Sequence, residues 1–232
     1  MMEIPILLLE KWNLLSEFVE EICIDRDKSH GKEHMEKVAY SSLIIFNDMY
    51  GEVNTNNLQL AQDIITVAWL HDICDHKYDE DIEIQYKLNN FIYEQSNNPI
   101  LIKNIIERIS YSKEDKALKL NQPLDWLYIL GEYGCNIRNI VSDADKLEAL
   151  GKLGLERCIE YAKYDFQKKN NIPISEEILR NKVIDHANDK LLRLKENFIR
   201  TTTGKKLAIP LHEELVEELR NIFNYNLINN FK

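Results

Sequence analysis

Glycine and proline are scarce, 7 and 5 among 232 residues, and no Asn-Gly or Asp-Gly pair sits between alternating apolar residues. Little material is left for β-hairpins, and a fibrous or low-complexity chain is excluded. No run approaches the ~18–20 apolar residues of a membrane span. Glu3, Glu10, Lys11, Glu17 and Glu20 interrupt the apolar residues of the first segment, so a secretory signal is not expected. The four cysteines, Cys23, Cys74, Cys135 and Cys158, form no Cys-x-x-Cys pair. That argues against a disulfide frame or a zinc knuckle, and for reduced thiols in an intracellular, cytoplasmic protein. Positive charge is also short: 29 Lys and Arg stand against 39 Asp and Glu, a net charge of −10. A nucleic-acid polymer or an anionic membrane surface is therefore a poor partner. A small anionic substrate is not excluded, because a bound cation reverses the local field.

What the chain does have is helical periodicity, over and over. It predicts helices at Ile4 to Ile24, Glu33 to Tyr50, Asn57 to Cys74, Asp81 to Glu94 and Pro99 to Ile109. Further ones are predicted at Ile137 to Leu150, Leu155 to Asn170, Ser175 to Phe198 and Leu211 to Phe231. The unbroken Ile64-Ile65-Thr66-Val67-Ala68-Trp69-Leu70 run reads as a helix buried nearly all round. Ser112 to Gly134 is less regular, with Pro123 arguing for a break. No linker, repeat or composition shift divides the chain, so a single all-α domain is expected. Trp12, Trp69 and Trp126 read as core residues and not as a stacking platform.

Three clusters carry potential chemistry. Asp27-Lys28-Ser29-His30-Gly31-Lys32-Glu33-His34 leads into a helix, and His30 and His34 would share a face if that helix begins early. His71-Asp72 ends the most apolar helix, followed directly by Asp75-His76-Lys77. Burying an imidazole beside a carboxylate is costly unless something compensates. A divalent cation does so, and adjacent helical side chains, about 100° apart, converge on an ion in the notch between them. The plainer alternative is that both side chains bond to backbone at a helix end. The third cluster is Asp143-Ala144-Asp145-Lys146-Leu147, where Asp143 reads as a helix cap and Asp145 falls inside an apolar pattern. His186 and His212 read as helix-packing or helix-end residues. Thr203-Gly204-Lys205-Lys206 is not a phosphate-binding P-loop, since Lys206 stands where Ser or Thr is required.

The order His34, His71-Asp72, Asp145 resembles the HD-domain metal-dependent phosphohydrolases. The flanking sequence is similar to the small bacterial-type members. It comprises Asp-x-Ser-His ahead of the first ligand, His-Asp-Ile-x-Asp-His-Lys, and Asp-Ala-Asp-Lys-Leu-x-Ala-Leu-Gly. His186 to Phe198, Thr203 to Ala208 and His212 extend the likeness from about Asp25 to the C-terminus.

The resemblance implies an all-helical HD fold over residues 1–232. Its metal-binding core would span about 25–165, with C-terminal helices of about 175–232 packed on it. It implies a cation (Mn²⁺ first, then Co²⁺, Ni²⁺, Fe²⁺ or Zn²⁺) held by His34, His71, Asp72 and Asp145, with Asp143 orienting a ligand or a basic side chain. Asp75 or His76 would be the general base or proton shuttle. Lys77, Lys37, Arg157 and His30 would meet substrate phosphate. The expected substrate is a nucleotide, a nucleoside triphosphate cleaved to monophosphate and pyrophosphate. The alternative is a weakly catalytic module that binds metal or nucleotide in a sensory or structural role. Either a monomer or a homodimer fits. The family's His-Ser-(Phe/Tyr)-Ser motif is Ile109-Ser110-Tyr111-Ser112 here, Lys37 and Lys146 replace arginines, and Ser112 to Val141 is longer than usual. These departures bear on substrate preference and turnover.

Overall fold

The structure is a computed structural model that describes residues 3–24, 31–73 and 82–223. Among them every regular element is helical. The chain divides into two compact units, Met1–Ala144 and Asp145–Lys232.

In the first unit, a short 3-10 turn, Ile6–Leu8, leads into α1, Leu9–Ile22. Then follow α2, Lys32–Tyr50, and α3, Leu58–Leu70. As the apolar run predicts, α3 is buried on all sides from Ile64 to Leu70, and it packs against α1, α2 and α5, Pro99–Ile106. Trp12 of α1 meets the Trp69 ring edge-on at 5.2 Å and Tyr40 of α2 at 4.8 Å, so two of the three tryptophans are core residues. Each fully buried Ile or Leu contributes roughly 1.5–3 kcal/mol, which makes α3 the post around which this unit is assembled. Helix α4, Ile82–Gln95, packs on α5 and stacks Phe91 on Phe18 of α1 at 4.0 Å.

The irregular stretch expected at Ser112 to Gly134 holds a helix, α6, Tyr111–Lys119. Its charged sequence hides the reason. Glu114 is buried against Arg138 of α7, Trp126–Glu148, with Nη2 donating to Oε2 at 2.8 Å. Pro123 does break the chain, in the loop before α7. A second interruption falls at Gly131, whose φ of 63° and ψ of 179° suit glycine and bend α7 near its start.

In the second unit, α8, Gly151–Asn170, packs on α9, Glu176–Asp189, and on α11, Thr202–Phe223. The single helix expected from Ser175 to Phe198 is broken at Lys190 (φ −128°, ψ −67°) and resumes as α10, Leu194–Asn197. The expected Leu211 start of α11 is nine residues late. Thr201 Oγ1 accepts the Gly204 N–H at 2.9 Å, starting the helix upstream, and Pro210 is carried inside it. A proline there removes one hydrogen bond, a loss that burial of Ala208, Leu215, Val216 and Leu219 outweighs. Ser175 caps α9 as expected, its Oγ accepting from Ile178 N–H at 3.4 Å.

Candidate metal centre

His34 sits in the first turn of α2, on the face that also buries Met35, Val38 and Ala39, so its ring is directed inward and is 5% exposed. Gly31, in extended backbone, precedes α2, and its carbonyl accepts the His34 N–H at 3.1 Å. The α3 ladder stops at Leu70, and His71 and Asp72 follow in a turn closed by Ile73 N–H to Leu70 O at 3.3 Å. The last carbonyls of α3 put partial negative charge at this end, which favours a cation.

The His71 ring is buried, and its Nδ1 lies 2.8 Å from the Ala68 carbonyl, the arrangement of an Nδ1–H donor. That bond fixes the tautomer with the lone pair on Nε2, as a metal-ligating imidazole requires. The His34 and His71 ring centroids are 5.4 Å apart at 61°. Asp145 is half-buried on α7. One donor atom from each of His34, His71 and Asp145 lies within 4.8 Å of the other two. Donors ~2.1 Å from one ion stand at most about 4.2 Å apart, so sub-ångström side-chain movement closes this set on a cation. Two imidazoles and a carboxylate suit a borderline divalent ion, and the residues fit the expected group.

Asp72 reaches both rings. Its Oδ2 is 3.7 Å from His34 Nε2 and its Oδ1 is 3.7 Å from His71 Nε2. Both separations exceed a hydrogen bond, and Asp72 is not among the three residues whose donor atoms cluster. Asp143 and Lys146, flanking Asp145 on α7, are buried at 0% and 2% exposure.

The other sequence candidates divide sharply. His30, Asp75, His76 and Lys77 lie outside the described residues. Lys37 is exposed on α2, three residues past His34. Arg157 is engaged locally, its Nη1 3.7 Å from Glu148 Oε2 and 3.5 Å from the Glu148 carbonyl. His186 is exposed, and its carbonyl accepts from Lys190 at the end of α9. Burial, with the Lys195 ammonium, lowers the His212 imidazole pKa.

Two polar groups of the first unit escaped sequence reasoning. Arg138, 0% exposed, donates from Nη2 to Glu114 and from Nε to the Arg108 carbonyl at 2.9 Å, and lies 3.6 Å from the Trp126 ring centroid. Asp63, inside α3, accepts from Tyr133 Oη at 2.7 Å and from Gln59 at 3.0 Å, while the Lys11 ammonium nearby donates to the Gln95 carbonyl. An acid inside an apolar helix was the available signal for the second; nothing in the sequence marks the first.

Comparison with known proteins bears on this geometry. No protein-family model matches the chain. YpgQ of Bacillus subtilis is 26% identical over 212 residues, covering 88% of each chain. A solved structure from Lactobacillus plantarum superposes with a TM-score of 0.65 at 19% identity, covering 94% of this chain and 96% of its own. An HD-superfamily hydrolase from Bacillus thuringiensis does so with a TM-score of 0.58 at 19% identity, covering 94% and 99%. The chain has the fold of the HD-superfamily hydrolases. YpgQ has also been solved in complex with ADP, and that structure matches with a TM-score of 0.60 at 19% identity over 94% and 95% of the two chains. His34, His71 and Asp145 come from α2, the end of α3 and α7, so no single helix supplies the cluster.

Proposed function

We propose that the chain is a divalent-cation-dependent phosphohydrolase of the HD family acting on a nucleotide, with a nucleoside triphosphate cleaved to monophosphate and pyrophosphate as the preferred reaction. The observation that carries this reading is the His34, His71 and Asp145 donor cluster. The nucleotide class draws support from the ADP bound by YpgQ.

In this reading His34, His71, Asp72 and Asp145 hold the cation, Mn²⁺ before Co²⁺, Ni²⁺, Fe²⁺ or Zn²⁺. When bound, the cation supplies Lewis acidity toward water and a phosphoryl oxygen. The chain's residues do the rest. The Ala68 carbonyl holds the His71 ring in its ligating tautomer. Asp75 or His76 takes the proton of the attacking water. Lys77, Lys37 and His30 meet phosphate oxygens, so the negative substrate is neutralised in a chain of net charge −10. Arg157 serves phosphate only by giving up its contact with Glu148. In this reading the protein acts in the cytoplasm on small molecules, without nucleic-acid polymer or membrane. Among the described residues no helix is long and apolar enough to cross a membrane.

The test is a panel of nucleoside mono-, di- and triphosphates with each metal, read by phosphate and pyrophosphate release. Turnover that depends on metal and falls at least a hundredfold in Asp145→Asn is expected. Metal uptake with no hydrolysis of any phosphate ester or anhydride would instead favour the weakly catalytic binding module. One observation speaks for that second reading: Ile109, at the place of the family motif's histidine, is 3% exposed and supplies no polar group.

A further inference from the structure

The buried Asp63 network has no part in the proposed chemistry, yet it joins the two helices that supply most of the cluster. Asp63 lies on α3, eight residues before His71, and is 8% exposed. Tyr133 lies on α7 two residues past the Gly131 bend and twelve before Asp145. Their 2.7 Å hydrogen bond therefore ties α3 to α7 at a point that lies ahead of both ligands in sequence. At 1.5 Å per residue the ligands lie about 12 and 18 Å further along their helices. Two helices that meet at a single ion are free to slide or twist about it. A second fixed contact removes that freedom, because a straight helix transmits axial register along its length. Gly131 places its bend ahead of Tyr133, so the Asp145-bearing part of α7 begins at this tie. Gln59 on the same helix also donates to Asp63, holding the carboxylate in its direction.

The geometry points to Asp63 and Tyr133 as positioning residues for the cation site: their hydrogen bond sets the register of α3 against α7, so that the His71 and Asp145 donors stand close before any ion arrives. This inference rests on the metal reading above. It assigns neither residue contact with the ion or the substrate.

The experiment is titration with Co²⁺ and Mn²⁺ by calorimetry, with the Co²⁺ absorption spectrum as a report on coordination. Tyr133→Phe removes only the hydroxyl from a side chain that is 41% exposed, so the ring packing survives. It is expected to bind Co²⁺ about five- to tenfold more weakly and with an altered spectrum. That is less than the 10–100-fold of a direct ligand-orienting partner, because the lever is long. Asp63→Asn keeps a carbonyl acceptor for the tyrosine and should bind within twofold of wild type, whereas Asp63→Leu should match Tyr133→Phe. Ile102→Val, a core change on α5, serves as the control for mere loss of stability and should leave the affinity unchanged. Tyr133→Phe and Asp63→Leu both binding as wild type overturn the positioning role alone. Wild-type protein that takes up neither ion overturns the metal reading and this inference together.

Discussion

Removing Glu114 exposes what the buried ion pair is worth. The side chains of Glu114 and Arg138 are 1% and 0% exposed and meet at 2.8 Å. Glu114→Ala leaves the guanidinium with the Arg108 carbonyl, the Asn139 Oδ1 at 3.2 Å and the Trp126 face, but with no carboxylate on Nη2 from this residue. Breaking a buried pair by deleting one partner costs ~3–5 kcal/mol, since the remaining charge is left uncompensated. The retained contacts place this case at the lower end, about 3 kcal/mol. For a chain of this length each kcal/mol moves the midpoint by ~2–4 °C, so Tm should fall by about 6–12 °C. Glu114→Gln keeps an acceptor and loses the charge, and should cost about half as much. The decisive arm is Glu114→Ala combined with Arg138→Met. If loss of the Glu114 counter-charge is the cause, the double variant is more stable than Glu114→Ala alone, by at least 1 kcal/mol. Urea unfolding followed by circular dichroism measures these three variants and Arg138→Met alone. A loss below about 1 kcal/mol in Glu114→Ala, or strictly additive costs in the double variant, would refute the reasoning.

Other consequences are open to equally direct measurement. Cation at a hundredfold excess over its Kd should stabilise the protein by about 2.7 kcal/mol, raising Tm by roughly 5–10 °C in a way EDTA reverses and Asp145→Asn abolishes; scanning calorimetry reads this. Burial raises the Asp63 pKa above its ordinary 3.8, against the pull of Tyr133, Gln59 and Lys11. Its folded state thus holds the proton more tightly than its unfolded state, and the ionised carboxylate costs stability at neutral pH. That cost is relieved as pH falls through the folded pKa toward 3.8, so the stability of wild type should gain on Asp63→Asn in acid; parallel urea-unfolding curves for the two would contradict this. Gly151 adopts φ +71°, and a Cβ there would stand 2.6 Å from Glu214 Oε2. The carboxylate is the movable end of its side chain, so backbone strain dominates and Gly151→Ala should cost about 1–2 kcal/mol in urea unfolding. Burial pushes the Cys158 thiol up to about 11, so its alkylation by iodoacetamide at pH 8 should run well behind that of free cysteine, as peptide mass mapping would show.

Helix existence and helix content were legible because periodicity is a local property: α1, α2, α3 and α8 need only their own apolar spacing to declare themselves. The candidate ligand types were legible too, since polar residues such as His71 and Asp145 stand out where the pattern calls for apolar ones. Helix α6 was not, because its stabilising contact is Arg138, 24 residues away, and a buried charge looks like any surface charge until its partner is known. Pro210 concealed the true start of α11 for a similar reason: the packing that tolerates it is contributed by other helices. Sequence by itself therefore determined an all-helical, acidic chain with an ordered series of imidazoles and carboxylates. Only tertiary structure decided that His34, His71 and Asp145 share a few ångströms, that Arg157 is turned to Glu148, and that Asp63 and Tyr133 meet. Distance between residues remote in the chain depends on how helices pack, and packing energy is a property of pairs of surfaces that no single segment carries.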